Sequence, residues 1–185
     1  MDTLILILLA LIIALCILTA IYITYYNKLQ DYIIKINEVE SILDNNLRDK
    51  YDNLNKGVTI IKSNDDIKEE DKKLFEEIIK LRTRKISNFD LDRKLIDANN
   101  NIITIKEKYK EIKTNKEIIN ISKKIEELDE TLIVNRDYYN RNIAEYNKLI
   151  VLFPTNIIAR ICKYQEKLYY DKKDMSDDDF NDFKL

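Results

Sequence analysis

The chain of 185 residues has no histidine, no tryptophan, one glycine (Gly57), one proline (Pro154) and two cysteines, Cys16 and Cys162. Each scarcity closes off a class of chemistry or structure. Without histidine there is no imidazole to ligate zinc, to move protons near neutral pH or to activate a serine or cysteine nucleophile. One glycine cannot build a phosphate-cradling loop, and so few turn formers argue against sheets joined by tight hairpins. Cys16 lies in an apolar run and Cys162 near the far end of the chain, so no disulfide framework is expected. Charge of one sign is also missing. With 31 basic and 33 acidic residues the net charge is -2, too little to draw the protein onto nucleic acid. No catalytic residue, metal, cofactor, nucleic acid or small-molecule substrate is expected.

What the chain has in plenty is isoleucine, lysine, asparagine and tyrosine. Leu4 to Ile23 read LILILLALIIALCILTAIYI, broken only by the hydroxyl groups of Thr19 and Tyr22. As a helix this run spans about 30 Å, the thickness of a bilayer's hydrocarbon core. Its leucines and isoleucines sum to about -4 to -8 kcal/mol of insertion free energy. A cleaved signal peptide would want a basic start and small residues at its end, whereas Asp2 precedes the run and Tyr22, Tyr25 and Tyr26 follow it. The expectation is a short flank over residues 1–3 and a retained transmembrane helix over residues 4–25, with the lipid bilayer as its partner. Lys28 and Lys35 follow the span and no Lys or Arg precedes it, so the positive-inside tendency puts the N-terminus outside and the remainder in the cytoplasm.

Beyond the span, Leu29, Tyr32, Ile36, Val39, Leu43, Leu47, Tyr51, Leu54, Val58 and Ile61 recur at spacings of three and four, one apolar helical stripe. No proline interrupts it, and Gly57 is a weak point worth about 1 kcal/mol relative to alanine. Ser63 to Asp66 break the pattern before a segment expected to turn Leu74, Ile78 and Leu81 inward. Thr83 to Asp90 connect to a third helix carrying Leu95, Ala98, Ile102, Ile105, Tyr109 and Ile112. After a turn at Lys113, Thr114 and Asn115, the stripe resumes at Ile118, Ile121, Ile125, Leu128, Leu132, Asn135, Tyr139, Asn142, Tyr146, Leu149 and Phe153. Pro154 stops that helix, and a last amphipathic piece follows with Ile157, Ile158, Ile161, Tyr164 and Leu168. The fold class is all-α: a transmembrane helix continuous with an antiparallel up-down bundle over residues 26–170, of about four long helices plus a short C-terminal helix. Short loops favour an intrachain bundle, while the heptads leave a coiled coil between chains open. Residues 171–185, rich in aspartate, are expected to be an acidic, disordered tail.

The segment from Tyr109 onward resembles the LemA family of single-pass membrane proteins. The residues that carry the resemblance are Tyr109, Lys113 and Asn115; Arg136, Tyr139 and Asn140 in RDYYN; Tyr146 and Asn147 in EYN; Phe153, Pro154 and Asn156 in FPTN; Ala159; and Tyr169 and Tyr170. Earlier, Tyr51, Asp52, Val58 and Lys62 are similar to the family's pattern, with Arg48 near the place of its first arginine. The resemblance takes in nearly the whole chain, including the span. It departs at Asn55, where the family has proline, and at Lys163 and Glu166, where it has glycine and proline. What the resemblance implies is an N-terminal transmembrane helix followed by a helical bundle, of unsettled molecular function.

Arg136, Asn140 and Asn147 share one helical face beside Tyr139, Tyr146 and Phe153. Such a strip serves either to recognise a partner or, the favoured reading, to bond across helices and fix register, with Arg136 paired to a carboxylate on a facing helix. Glu111, Glu117, Glu126, Glu127 and Glu145 lack the histidine that a di-metal bundle site would need. The expected function is therefore non-enzymatic: an interaction or scaffold module at the membrane, with a protein partner or self-association through the bundle. A structural spacer or coiled-coil oligomer, and a signalling component relaying input from lipid or a protein, stand as alternatives.

Overall fold

The structure, a computed structural model, describes residues 2–81 and 88–170. The tail expected over residues 171–185 and most of the connection expected at Thr83 to Asp90 lie outside the described residues. Seven helices and no strand are present among those described: α1 (Asp2–Lys62), α2 (Glu69–Lys73), α3 (Glu76–Lys80), α4 (Asn88–Lys108), α5 (Lys110–Thr114), α6 (Lys116–Val151) and α7 (Thr155–Ile161). The all-α class is borne out, and the apolar run and the first stripe are one continuous helix of 61 residues.

Helix α1 ends where its polar side chains compete for backbone. Asn64 Oδ1 accepts the amide of Asp66 at 2.9 Å, an Asx turn that replaces helical bonding. The next segment differs from expectation. It is two five-residue helices, and Leu74 is 46% exposed while Phe75, Ile78 and Leu81 are buried. The amides of Leu74 and Phe75 bond three residues back, to the carbonyls of Asp71 and Lys72. That tighter winding rotates the chain enough to bring Phe75 inward in place of Leu74.

A second difference falls at Tyr109, expected in mid-helix. Its backbone is extended (φ -119°, ψ 111°), which separates α4 from the short α5. Asn115 then accepts the amides of Glu117 and Ile118 at 2.9 and 3.2 Å, capping the start of α6 as an N-cap asparagine does. At the far end, Phe153 leaves the stripe and stands 79% exposed beside a cis Phe153–Pro154 bond. Helix α7 is shorter than the expected last piece: Thr155, Ile158 and Ala159 are buried, and Tyr164 and Leu168 lie beyond its end.

The described residues fall into two compact units, one of the residues up to Glu38 with Tyr139–Tyr169, the other of those between Val39 and Tyr138 with Tyr170. This division falls within the residues read from sequence as one bundle. In the second unit the element directions follow from paired residues. Asp44 meets Asn88 and Lys50 meets Asp92, so α1 and α4 run parallel. Lys106 meets Ser122 and Arg136 meets Asp92, so α6 runs antiparallel to α4. Asp71 meets Lys108 and Glu77 meets Lys94, so α2 and α3 also descend against α4. Leu43, Leu47, Leu54, Phe75, Leu95, Ile102, Ile105, Ile118 and Leu132 are buried in this unit, each contributing about 1.5–3 kcal/mol by leaving water. Gly57 is buried there as well. A Cβ at that position would stand 3.2 Å from Ile102 Cδ1, so the missing side chain is what lets α4 approach α1 closely.

In the first unit the buried core residues are Leu29 and Ile36 of α1, Tyr139, Ile143, Tyr146 and Leu149 of α6, and Ile158 and Ala159 of α7, with the polar Asn142 and Thr155 buried beside them.

Candidate functional site

Within the second unit, three helices bring four charges together. Lys50 lies three residues after Leu47 and four before Leu54, so the helical repeat turns it inward with them, and its side chain is fully buried. Asp92, three residues before Leu95, is likewise inward, its side chain 6% exposed. Lys50 Nζ donates to Asp129 Oδ1 at 2.5 Å and stands 3.8 Å from Asp92 Oδ1. Arg136 donates to the other oxygen of Asp92, and its guanidinium lies over the Tyr170 ring, 5.2 Å from the centroid. Two cations thus face two carboxylates. Lys50 and Asp92, the two groups shut off from water, would be costly to bury unpaired; with the half-exposed Asp129 and Arg136 the cluster is neutral and fixes how α1, α4 and α6 stand against one another. Its chemistry is pairing.

Arg136 therefore meets a carboxylate on a facing helix. Lys50, Asp92 and Asp129 were not singled out from sequence. The signal was available, since Lys50 and Asp92 occupy apolar-stripe spacings, but a charged residue there reads as a gap in the pattern.

The remaining sequence-derived residues belong to the first unit. Tyr139 and Tyr146 are buried and Asn140 half-buried; burial pushes the Tyr146 phenol up from its ordinary value. Asn147 acts as a clamp. Its Nδ2 donates to the Lys167 carbonyl at 2.8 Å and its Oδ1 accepts the Lys167 amide at 2.9 Å, so one amide side chain satisfies both backbone groups of a non-helical residue. Phe153 is exposed, Pro154 forms the corner, and half-buried Asn156 donates its backbone amide to the Leu152 carbonyl at 2.8 Å. The eight residues are not gathered into one pocket: Arg136 pairs within the charge cluster, Tyr139, Asn140 and Tyr146 lie along α6, Asn147 clamps Lys167, and Phe153, Pro154 and Asn156 make the α6–α7 corner. The glutamates Glu111, Glu117, Glu126, Glu127 and Glu145 are all exposed.

Near the foot of α4, Lys108 Nζ reaches Asp71 at 2.6 and 2.9 Å, and the Tyr109 hydroxyl donates to the same carboxylate at 2.6 Å while accepting the Lys68 amide at 3.2 Å. Hydrogen bonds from Lys108 and Tyr109 hold the Asp71 carboxyl below its ordinary range, and Asp71 in turn raises Lys108. Beside them, Glu111 is raised by its hydrogen bond with Asp66. Tyr109 leaves the helix to make these bonds, which explains its place outside the stripe.

Helix α7 closes with Lys163 in the left-handed region, φ 56°. The amide of Lys163 bonds the Arg160 carbonyl and that of Tyr164 bonds the Ala159 carbonyl, the two bonds of a Schellman ending. From there the chain passes along α1. Cys162 Sγ lies 3.8 Å from the Tyr22 hydroxyl, and Gln30 donates to the Tyr164 hydroxyl.

One helix among the described residues, α1, is long and apolar enough to cross a membrane, with a mean hydropathy of 3.4 in its most apolar window and none of that window buried.

The family model described as the LemA family matches residues 39–180, more than half the chain. The match starts beyond the apolar run, so it is narrower than the resemblance read from the motifs. No curated protein matches the chain.

Proposed function

The chain belongs to the LemA family, and from that premise we propose that it is a single-pass membrane protein whose helical bundle is a non-enzymatic interaction or scaffold module held at the bilayer. One observation carries this reading. Leu4 to Ile23 stand exposed on α1, a largely apolar run of twenty residues in which Tyr22, near its end, meets Cys162, and the same helix continues without a break into the buried stripe. Exposed apolar surface of this extent is stable against lipid and not against water. The charge cluster supports a role without chemistry, because its carboxylates are spent on Lys50 and Arg136.

Orientation follows the cations. Lys28 and Lys35 lie just past the apolar run, which favours a cytoplasmic bundle. The test is fractionation and labelling of the full-length chain. The protein should stay with membranes under alkaline extraction and leave them in detergent. A Thr3→Cys variant should react with a membrane-impermeant maleimide on intact cells, and an Asp52→Cys variant only after lysis. Release at alkaline pH without detergent would overturn the anchor, and labelling of Asp52→Cys on intact cells would overturn the orientation. Crosslinking from the same cysteine at position 52, followed by pull-down, tests the scaffold role: a discrete partner or a second copy is expected, and the chain recovered alone would overturn it.

A further inference from the structure

The bundle helices bury their stripes, yet the end of α6 and the stretch after it turn apolar side chains outward. Val151 is 60% exposed, Leu152 48%, Phe153 79%, Ile157 51%, Ile161 65% and Leu168 56%. Ile157 and Ile161 are four residues apart on α7, so they share its outer side, while Thr155, Ile158 and Ala159 bury the other side, and Phe153 stands exposed at the corner before it. This is an amphipathic helix whose second face has no cover. Among the described residues beyond the apolar run, exposed apolar residues elsewhere, such as Ile133 and Val134, come one or two at a time, which is ordinary for a protein surface. Six within eighteen positions are a concentration of exposed apolar side chains of the kind that marks an interaction surface.

Two features of the same unit say what covers it. The first is location. Cys162, the residue after α7, touches Tyr22 in the last turn of the apolar run, and two residues later Tyr164 touches Gln30, further along α1. The end of α7 is thereby set beside the end of the run, at the depth where a membrane's hydrocarbon gives way to headgroups. The second is composition. From residue 148 to residue 170 the charged side chains are Lys148, Arg160, Lys163 and Lys167 against Glu166 alone, and Tyr164 and Tyr169 sit among them. Cations and tyrosines beside apolar residues are the composition of the interfacial layer, where cations meet anionic phosphate and aromatic rings sit at headgroup level.

We propose that the α6–α7 corner and the outer face of α7 are a second lipid contact, lying in the headgroup layer of the bilayer alongside the end of the apolar run. This rests on the reading of residues 4–25 as a span. Phe153 at the corner and Ile157 and Ile161 on α7 enter the acyl boundary, and Lys148, Arg160 and Lys163 remain among the phosphates. The Schellman ending and the Asn147 clamp then hold the chain after α7 against α1 and α6, so that the bundle rests on the surface at two points.

Depth measurement on the full-length chain tests this. In a Cys16→Ala, Cys162→Ser background, a single cysteine at Phe153→Cys or Ile161→Cys carries an environment-sensitive fluorophore. Leu11→Cys, in the apolar run, and Ile133→Cys, on the exposed face of α6, serve as references. All four positions are exposed, so the label displaces no core. The protein is reconstituted into vesicles of phosphatidylcholine and phosphatidylglycerol doped with nitroxide lipids at shallow or deep acyl positions. Labels at 153 and 161 should be quenched by the shallow nitroxides, at the depth of about 5–10 Å expected of an interfacial apolar face. The label at 11 should be quenched by the deep nitroxides, and that at 133 by neither. If positions 153 and 161 read as aqueous as position 133 while position 11 is quenched, the span stands and the corner contact falls. Blue-shifted but unquenched labels at 153 and 161 would mean that a second copy or another protein covers the patch, which also overturns the proposal. An unquenched label at 11 removes the span, and the corner contact with it.

Discussion

At the scale of single residues, the buried ammonium of Lys50 sets the terms for its neighbours. Asp129 and Asp92 face it, and Asp92 is shared with Arg136, so removing one partner leaves another charge stranded away from water. Arg136→Met should destabilise the protein by about 3 kcal/mol, the low end for a broken buried pair, because the guanidinium is 26% exposed. In a double-mutant cycle with Asp92→Leu, the pair should cost less than the sum of the two single changes; additive costs in urea titrations would show that the two side chains are not coupled. Lys163 presents the opposite case, a residue whose own backbone is strained. A φ of 56° places its Cβ close to the neighbouring carbonyl, a conformation glycine adopts without that contact. Lys163→Gly should stabilise the chain by about 1 kcal/mol and raise Tm by about 2–4 °C in thermal melts, after allowing for the greater freedom of glycine in the unfolded state.

At the scale of elements, periodicity shows which faces are buried but not where helices end. Leu29 to Ile61 and Ile118 to Leu149 follow the three-four rule because burial of one face requires it. The break at Tyr109 was not legible, since a tyrosine at the right spacing reads as core, and only the folded chain shows Asp71 waiting for its hydroxyl. Phe153 misleads in the same way: its spacing continues the stripe, but Pro154 turns the chain and leaves the ring outside. The charge cluster was half legible, as Arg136 in an otherwise aromatic strip demands a carboxylate, whereas nothing in the sequence says which aspartate answers. Gly57 looked like a flaw in α1 and is instead a close approach between elements. Gly57→Ala should be near neutral, the gain of about 1 kcal/mol in helix propensity being offset by the 3.2 Å contact with the mobile tip of Ile102. Gly57→Leu should cost about 1–3 kcal/mol in urea titrations through overpacking. Asn147→Ala removes both bonds to Lys167, worth about 1 kcal/mol each, and limited proteolysis should then cut faster between Lys163 and Tyr170.

At the scale of the whole molecule, acid is the condition that tests the pairing at Asp71. The Asp71 carboxyl is held below its ordinary value of 3.8 by Lys108 and Tyr109, so its contribution to stability is present above that value and is lost as pH falls through the folded-state pKa. Stability measured from pH 5 downward should therefore drop, and Asp71→Asn should flatten that acid limb while leaving the neutral plateau lower. An unchanged limb would show that Asp71 gains nothing from folding. Lys50 has a further consequence for motion. Sliding α1 by one turn, about 5.4 Å, past α4 and α6 would carry the ammonium out of reach of both aspartates and set a leucine in its place. The side chain works as a pawl against the two neighbouring helices, opposing a piston stroke of α1 through this unit more than a bend or twist that keeps both ion pairs engaged.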